Sequence, residues 1–193
     1  MILGDTVSGK TSLLIALMGG VISDSYVTPL LDPFDSVVNN FTLRGMGEGN
    51  GLPKENLHVK YIDTRGSVDY DPIRYLIYPE TNLFVICCSL ANDEPLKSVI
   101  TRWLPVIKDK YKMIPFASFL VVGTKSETTS IPKGSFITSA NSMFKNVPGY
   151  AGAVEVSAMD QTGIKELQQK IIVVGAENLR KKNKDSEGCC TIQ

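Results

Sequence analysis

Two apolar runs restrict the folds open to this chain more than any other feature. Asn82 to Leu90 reads NLFVICCSL, and Phe116 to Gly123 reads FASFLVVG. Neither run alternates with polar residues, so each predicts a strand buried on both faces. Strands of that kind need helices on both sides of their sheet. The remaining pattern supplies them. Thr11 to Met18 predicts a helix with Leu13, Leu14 and Leu17 on one face, ended by Gly19-Gly20. Leu96 to Lys110, with Trp103, predicts a second, and Thr162 to Leu179 a third, through Ile164, Leu167, Ile171 and Val174. Ser36 to Leu43, Leu57 to Ile62 and Ala153 to Val156 predict further strands, and Met1 to Leu3 an apolar stub. The expected architecture is α/β: a mostly parallel central sheet flanked by helices, with a shortened first strand.

A chain of 193 residues fits one domain with a sizeable core. Its formal net charge is zero, which argues against a nucleic-acid partner held by the field of the whole molecule. The positive charge is nevertheless concentrated near the C-terminus, at Arg180, Lys181, Lys182 and Lys184. The cysteines form two adjacent pairs, Cys87-Cys88 and Cys189-Cys190, without the spacing of a disulfide scaffold or a zinc site. Neighbours in a strand face opposite ways, so Cys87 and Cys88 are expected as separate packed thiols. No charged-then-apolar signal segment opens the sequence, and no apolar run is long enough to span a bilayer. The expectation is a cytosolic body, residues 1–180, whose membrane contact is made by a flexible tail, residues 181–193.

Between the apolar stub and the first helix lies Gly4-Asp5-Thr6-Val7-Ser8-Gly9-Lys10-Thr11, which matches GxxxxGK[ST]. Glycines let the backbone wrap until successive N–H groups point at phosphate oxygens. The helix that follows adds the positive end of its dipole. Lys10 would reach the outer phosphates and the Thr11 hydroxyl would ligate Mg²⁺. The loop alone does not distinguish ATP from GTP.

Several further segments, in order, resemble a small GTPase, most closely of the Rho family. Asp63-Thr64-Arg65-Gly66 is similar to that family's DTAG segment. Thr124-Lys125-Ser126-Glu127 follows a buried strand, as the guanine-reading TKxD does, and Ser157-Ala158 follows the next. Tyr70-Asp71-Pro72-Ile73-Arg74, Tyr78-Pro79-Glu80-Thr81 and Arg102-Trp103-Leu104-Pro105 have the Rho character, and Cys190-Thr191-Ile192-Gln193 completes the set.

The resemblance implies a P-loop NTPase fold of the small G protein type, a GTP or GDP ligand and Mg²⁺. It assigns the phosphates to Thr6, Val7, Ser8, Gly9, Lys10, Thr11, Ser12 and Gly66, and the base to Thr124, Lys125, Glu127, Ser157 and Ala158. It assigns the metal to Thr11, to Asp63 through a water, and to Thr28 if its loop bends toward the ion. It further implies effectors that meet the regions 28–34 and 67–74, together with exchange factors and activating proteins.

Departures from the family pattern carry their own message. Thr6 stands where a Gly is usual and would crowd an attacking water. Ser67 replaces the Gln that orients that water and is too short to do so. Arg65 replaces a small Ala. No intact catalytic residue remains, and slowed hydrolysis is expected, as in the GTPase-deficient Rnd branch. Thr28-Pro29 inverts the usual Pro-Thr, displacing the hydroxyl by roughly one backbone step of ~3.8 Å, and Pro29 cannot donate an N–H. Glu127 lengthens the usual Asp by a methylene, and Ile22 replaces an aromatic beside the base. Gly45 to Gly51 lengthens the hairpin between the switches by about a dozen residues, and the helical insert of Rho proteins is largely missing between Lys125 and Ser157. These changes also fit an alternative, a pseudo-GTPase scaffold that holds nucleotide weakly or not at all.

The tail fits a prenylation pattern at Cys190, with Cys189 as a candidate palmitoylation site. One lipid gives marginal binding, so the basic cluster would supply a second signal, diluted by Asp185 and Glu187. The expected location is the cytoplasmic face of a membrane, with a cytosolic pool.

Overall fold

The computed structural model describes residues 1–20, 22, 33–41, 55–110 and 117–188. Four parallel strands form one sheet in the order β1 (Ile2–Gly4), β4 (Leu83–Ser89), β5 (Ser118–Thr124), β6 (Tyr150–Glu155). β2 (Pro33–Phe41) and β3 (Glu55–Ile62) make an antiparallel pair. A single parallel bridge, Ile2 to Asp63, joins the chain after β3 to β1. The parallel sheet expected from the apolar runs is therefore present, and so is the short first strand.

β4 explains how the two faces are filled. Phe84, Ile86 and Cys88 enter a core with Trp103, Phe119, Phe136 and Phe144. Val85 and Cys87 enter the opposite core with Leu13, Leu14, Leu167 and Ile171. Alternation along the strand thus feeds two apolar layers, with α3 (Leu104–Lys110) and α4 (Ser135–Phe144) on one side. α1 (Lys10–Leu17) and α5 (Ile164–Gly188) cover the other. Cys87 and Cys88 are free thiols, one in each layer. A cleft of about 300 Å³ lies between β3 and β4, lined by Met1, Tyr61, Leu83 and Ile171 among others.

Three expectations are corrected here. The helix expected over Leu96 to Lys110 widens into a π turn at Val99–Trp103 before α3. The Leu104 N–H bonds to Val99 O, and the next residue, Pro105, has no N–H to offer the preceding turn. α4 was not expected; its Phe136, Ala140 and Phe144 recur every fourth residue and are all buried. The polar segment expected as tail from Lys181 continues α5 as helix through Gly188. Thr28, Pro29, the glycine-rich stretch from Gly45 to Gly51, Cys189 and Cys190 lie outside the described residues.

α2 (Asp71–Ile77) follows a short 3-10 turn, Val68–Tyr70, and precedes another at Tyr78–Glu80. Its Arg74 is buried against Trp103 of the π turn and donates to Arg65 O and Ser67 O, which holds the segment 65–67 beside the loop after β1.

Candidate nucleotide site

The loop that follows β1 is shaped by two glycines. Gly4 has φ 145°, and a Cβ there would lie 2.3 Å from Cys87 O, so only glycine lets the loop turn so close to β4. Gly9 has φ 82° and sits at the N-terminus of α1. Val7 also adopts a left-handed φ, 63°, and its side chain is exposed. A β-branched residue pays for that conformation, and such strain recurs where a loop wraps a ligand. Ser8 N–H donates to Asp5 O at 3.2 Å, closing the turn.

Lys10 and Thr11 are the first residues of α1. The Lys10 ammonium donates to Asp5 O at 2.6 Å, curling back over the loop, with Ser8 Oγ at 3.4 Å. Burial lowers the Lys10 pKa, and the neighbouring Cys87, Asp63 and Asp5 oppose that shift. A buried cation at the mouth of a loop of amides is arranged for an anion. Thr11 Oγ1 donates to Asp63 Oδ2 at 2.6 Å. Asp63 is fully buried, and its neighbour Thr64 donates to Ile2 O at 2.7 Å, which fixes the end of β3 against β1. A hydroxyl and a carboxylate in contact at a phosphate loop are the hard oxygen donors that Mg²⁺ takes. Thr11 and Asp63 thus fit the metal.

The segments expected from the sequence to read the base converge on the same end of the sheet. Thr124 Oγ1 reaches Ser8 O at 2.6 Å and Cys88 O at 3.2 Å, tying the end of β5 to the phosphate loop. Lys125 follows with φ 59°. Ser126 N–H donates to Val156 O at 3.1 Å, which brings the Thr124–Glu127 loop beside Ser157 and Ala158. Ser157 is buried and its Oγ accepts from the Asp160 N–H at 2.9 Å, bracing that second loop. Glu127 is exposed, Ala158 and Ile22 half-buried. A cleft of about 420 Å³ runs from Asp5, Thr6 and Ser8 past Ser89 to Lys97 and Lys125.

Gly66 is also brought to the loop. A Cβ on it would lie 2.3 Å from Thr6 N and 2.4 Å from Asp5 C, so segment 65–67 rests directly on the phosphate-loop backbone. Ser67 does not face the loop. Its Oγ bonds to Asp69 Oδ2 at 2.8 Å and caps the Val68–Tyr70 turn. Thr6 is exposed beside Gly66. Arg65 donates to Tyr70 Oη at 2.5 Å and lies 4.8 Å from that ring's centre.

Asp5, Arg74 and Arg102 were not assigned site roles from the sequence. They come from three separate elements, and only the fold brings them together. Arg102 Nη1 lies 3.3 Å from Asp5 Oδ1 and donates to Gly66 O at 2.8 Å. Trp103 Nε1 donates to the same Asp5 oxygen at 3.1 Å.

A glycine-built loop between a parallel strand and a helix, with Lys10 and Thr11 at its end, defines a phosphate-loop nucleotide-binding domain of the α/β class. The Ras family model matches residues 1–175, and the chain belongs to the Ras family, the small GTPases. It is also similar to the GTP-binding protein RHO5 of Saccharomyces cerevisiae, at 27% identity over 208 residues. That match covers 89% of this chain, which spans 63% of the relative's length. The Rho-like resemblance read from the sequence is thereby supported.

Proposed function

We propose that this protein is a Rho-type guanine-nucleotide switch with slowed GTP hydrolysis, anchored to a membrane through its C-terminal cysteines. The observation that carries the reading is the meeting of Lys10, Thr11 and Asp63 at the glycine-built loop. Lys10 would exchange Asp5 O for phosphate oxygens. The loop amides and the start of α1 would hold the rest of the phosphate chain. Mg²⁺, when bound, would neutralise phosphate charge beside Thr11 and Asp63. Lys125 would lay its stem along the base, Ala158 N–H would face the guanine oxygen, and Glu127 would take the ring N–H groups.

Hydrolysis needs a residue that orients water, and Ser67 is engaged with Asp69 instead. Effectors would meet regions 28–34 and 67–74, where Val68 and Ile73 are exposed apolar side chains. Exchange factors and activating proteins would act on the same regions. Among the described residues no helix is long and apolar enough to cross a membrane. Membrane attachment would be made through Cys190, Cys189 and the basic residues at the end of α5.

The test is extraction of nucleotide from freshly purified protein, then single-turnover hydrolysis of preloaded GTP. The expected result is bound guanine nucleotide, with hydrolysis slow in the wild type and faster in Thr6→Gly/Ser67→Gln. A normal wild-type rate would remove the slow-hydrolysis part of the reading.

A second reading, a scaffold without nucleotide, rests on the sequence departures at Pro29 and Glu127. Purified protein that carries no nucleotide and binds none on titration would establish it.

A further inference from the structure

Three successive carbonyls of the segment over the phosphate loop are held by two arginines from different helices. Arg74, on α2 and 1% exposed, donates to Arg65 O and, at 3.0 Å, to Ser67 O. Arg102, in the π turn, donates to Gly66 O between them, at 2.8 Å. A trans peptide is planar, with its N–H opposite its C=O. Fixing Arg65 O therefore fixes the direction of the Gly66 N–H, and fixing Gly66 O does the same for Ser67 N–H.

The guanidinium groups are themselves braced. Both approach Asp71 Oδ1, Arg74 in direct contact and Arg102 at 3.5 Å. Both lie over the Trp103 ring, at 5.2 Å and 4.3 Å from its centre. Arg102 and Trp103 reach Asp5 together. Adjacent residues of a regular α-helix point about 100° apart. The π turn, with its Leu104-to-Val99 bond, brings both onto one carboxylate.

We propose that Arg102 is a positioning residue that holds Gly66 by its carbonyl against the phosphate loop, while Arg74 aims the Gly66 N–H, and so sets how strongly a triphosphate is preferred to a diphosphate. The inference rests on the guanine-nucleotide reading of the site. Arg102 touches no nucleotide. It acts through Gly66 and Asp5, the residues on either side of the contact between segment 65–67 and the loop. Its side chain is 25% exposed, so its removal leaves the core intact, unlike removal of Arg74.

The experiment compares wild type, Arg102→Ala and Arg102→Lys with Mg²⁺ and either GTPγS or GDP. Arg102→Ala is expected to weaken GTPγS by roughly tenfold, the loss of one charge-assisted hydrogen bond. GDP binding stays within about twofold on the same reasoning, and Arg102→Lys recovers part of the loss because a cation can still reach Gly66 O. Equal losses for both nucleotides, or none for either, would overturn the proposal. Hydrogen exchange of amides 65–68 in nucleotide-free protein separates this idea from its premise. Faster exchange in Arg102→Ala, in a wild type that binds no nucleotide, would uphold the clamp and sink the switch reading together with the affinity claim. Unchanged exchange would sink the clamp itself.

Discussion

Gly66→Ala isolates the contact between segment 65–67 and the phosphate loop. The added Cβ would stand 2.3 Å from Thr6 N, 2.4 Å from Asp5 C and 2.8 Å from Asp5 O. All three are backbone atoms, so no side chain can rotate away. Gly66 is not in the left-handed region, and the effect is therefore one of contact, not of backbone strain. Restoring ordinary van der Waals separation moves the two segments apart by roughly 1 Å. Overpacking of this kind costs about 1–3 kcal/mol, which a urea titration of nucleotide-free protein reads directly. A hydrogen bond of ~2.9 Å from Gly66 N–H to a terminal phosphate would stretch to ~3.9 Å and be lost. That loss weakens GTPγS by about 10- to 150-fold relative to GDP, the scale of one charged hydrogen bond. Gly175→Ala is the control. Nothing lies within 4 Å of a Cβ there, and the change should raise stability by about 0.5–1 kcal/mol by removing a helical glycine. An unchanged GTPγS-to-GDP ratio with an unchanged urea midpoint in Gly66→Ala would refute the reasoning.

Three further outcomes are expected. Thr124→Val removes the hydroxyl that reaches Ser8 O and Cys88 O and should cost about 1–3 kcal/mol in urea while weakening nucleotide binding; full retention of both would show that the β5–loop tie is unimportant. Burial pushes the Cys87 thiol up to about 12 and raises that of Cys88, so neither should react with iodoacetamide at mildly alkaline pH until the protein unfolds, as mass spectrometry of the labelled peptides will show. Burial lowers the Lys10 pKa, so between that lowered value and its ordinary 10.5 the unfolded chain binds more protons than the nucleotide-free native chain, and native stability falls as pH drops through the window. Phosphate beside Lys10 restores the proton, so GTP binding in that window should take up protons, and calorimetric heats should differ between buffers of unlike ionisation enthalpy.

The two-sided burial of β4 and β5 was legible because an unbroken apolar run has few other solutions. The phosphate loop was legible because glycine spacing, lysine and hydroxyl occur together in eight consecutive residues. α4 was not. Its sequence, SFITSANSMF, is rich in Ser, Thr and Asn, which are weak helix formers, and only burial of Phe136, Ala140 and Phe144 holds it. The length of α5 was misread for the opposite reason. The polar segment from Lys181 was expected as a flexible tail, although long unbranched cations such as Lys181, Lys182 and Lys184 are good helix formers. The meeting of Asp5, Arg74 and Arg102 had no local signal, because segments some 97 residues apart supply its partners.

The departures in segment 65–67 acquire a common sense from their contacts. Each was read from the sequence as a departure: Ser67 for a glutamine and Arg65 for a small alanine. In the fold, Ser67 caps the turn that follows it and Arg65 is bonded to Tyr70. Gly66, between them, lies on the backbone of Asp5 and Thr6. The Ser67 and Arg65 side chains brace the segment that carries them. Arg74 and Arg102 hold the same segment by its carbonyls from the other direction. A loop held from both sides by protein groups has less freedom to rearrange when a single phosphate is lost, because the contacts that phosphate would add are a smaller share of the total. On the proposed reading, the substitutions expected to slow hydrolysis would therefore also reduce the structural difference between the diphosphate and triphosphate states. Control of such a protein would then shift toward its abundance and toward the lipid attachment proposed at Cys190, neither of which requires segment 65–67 to move.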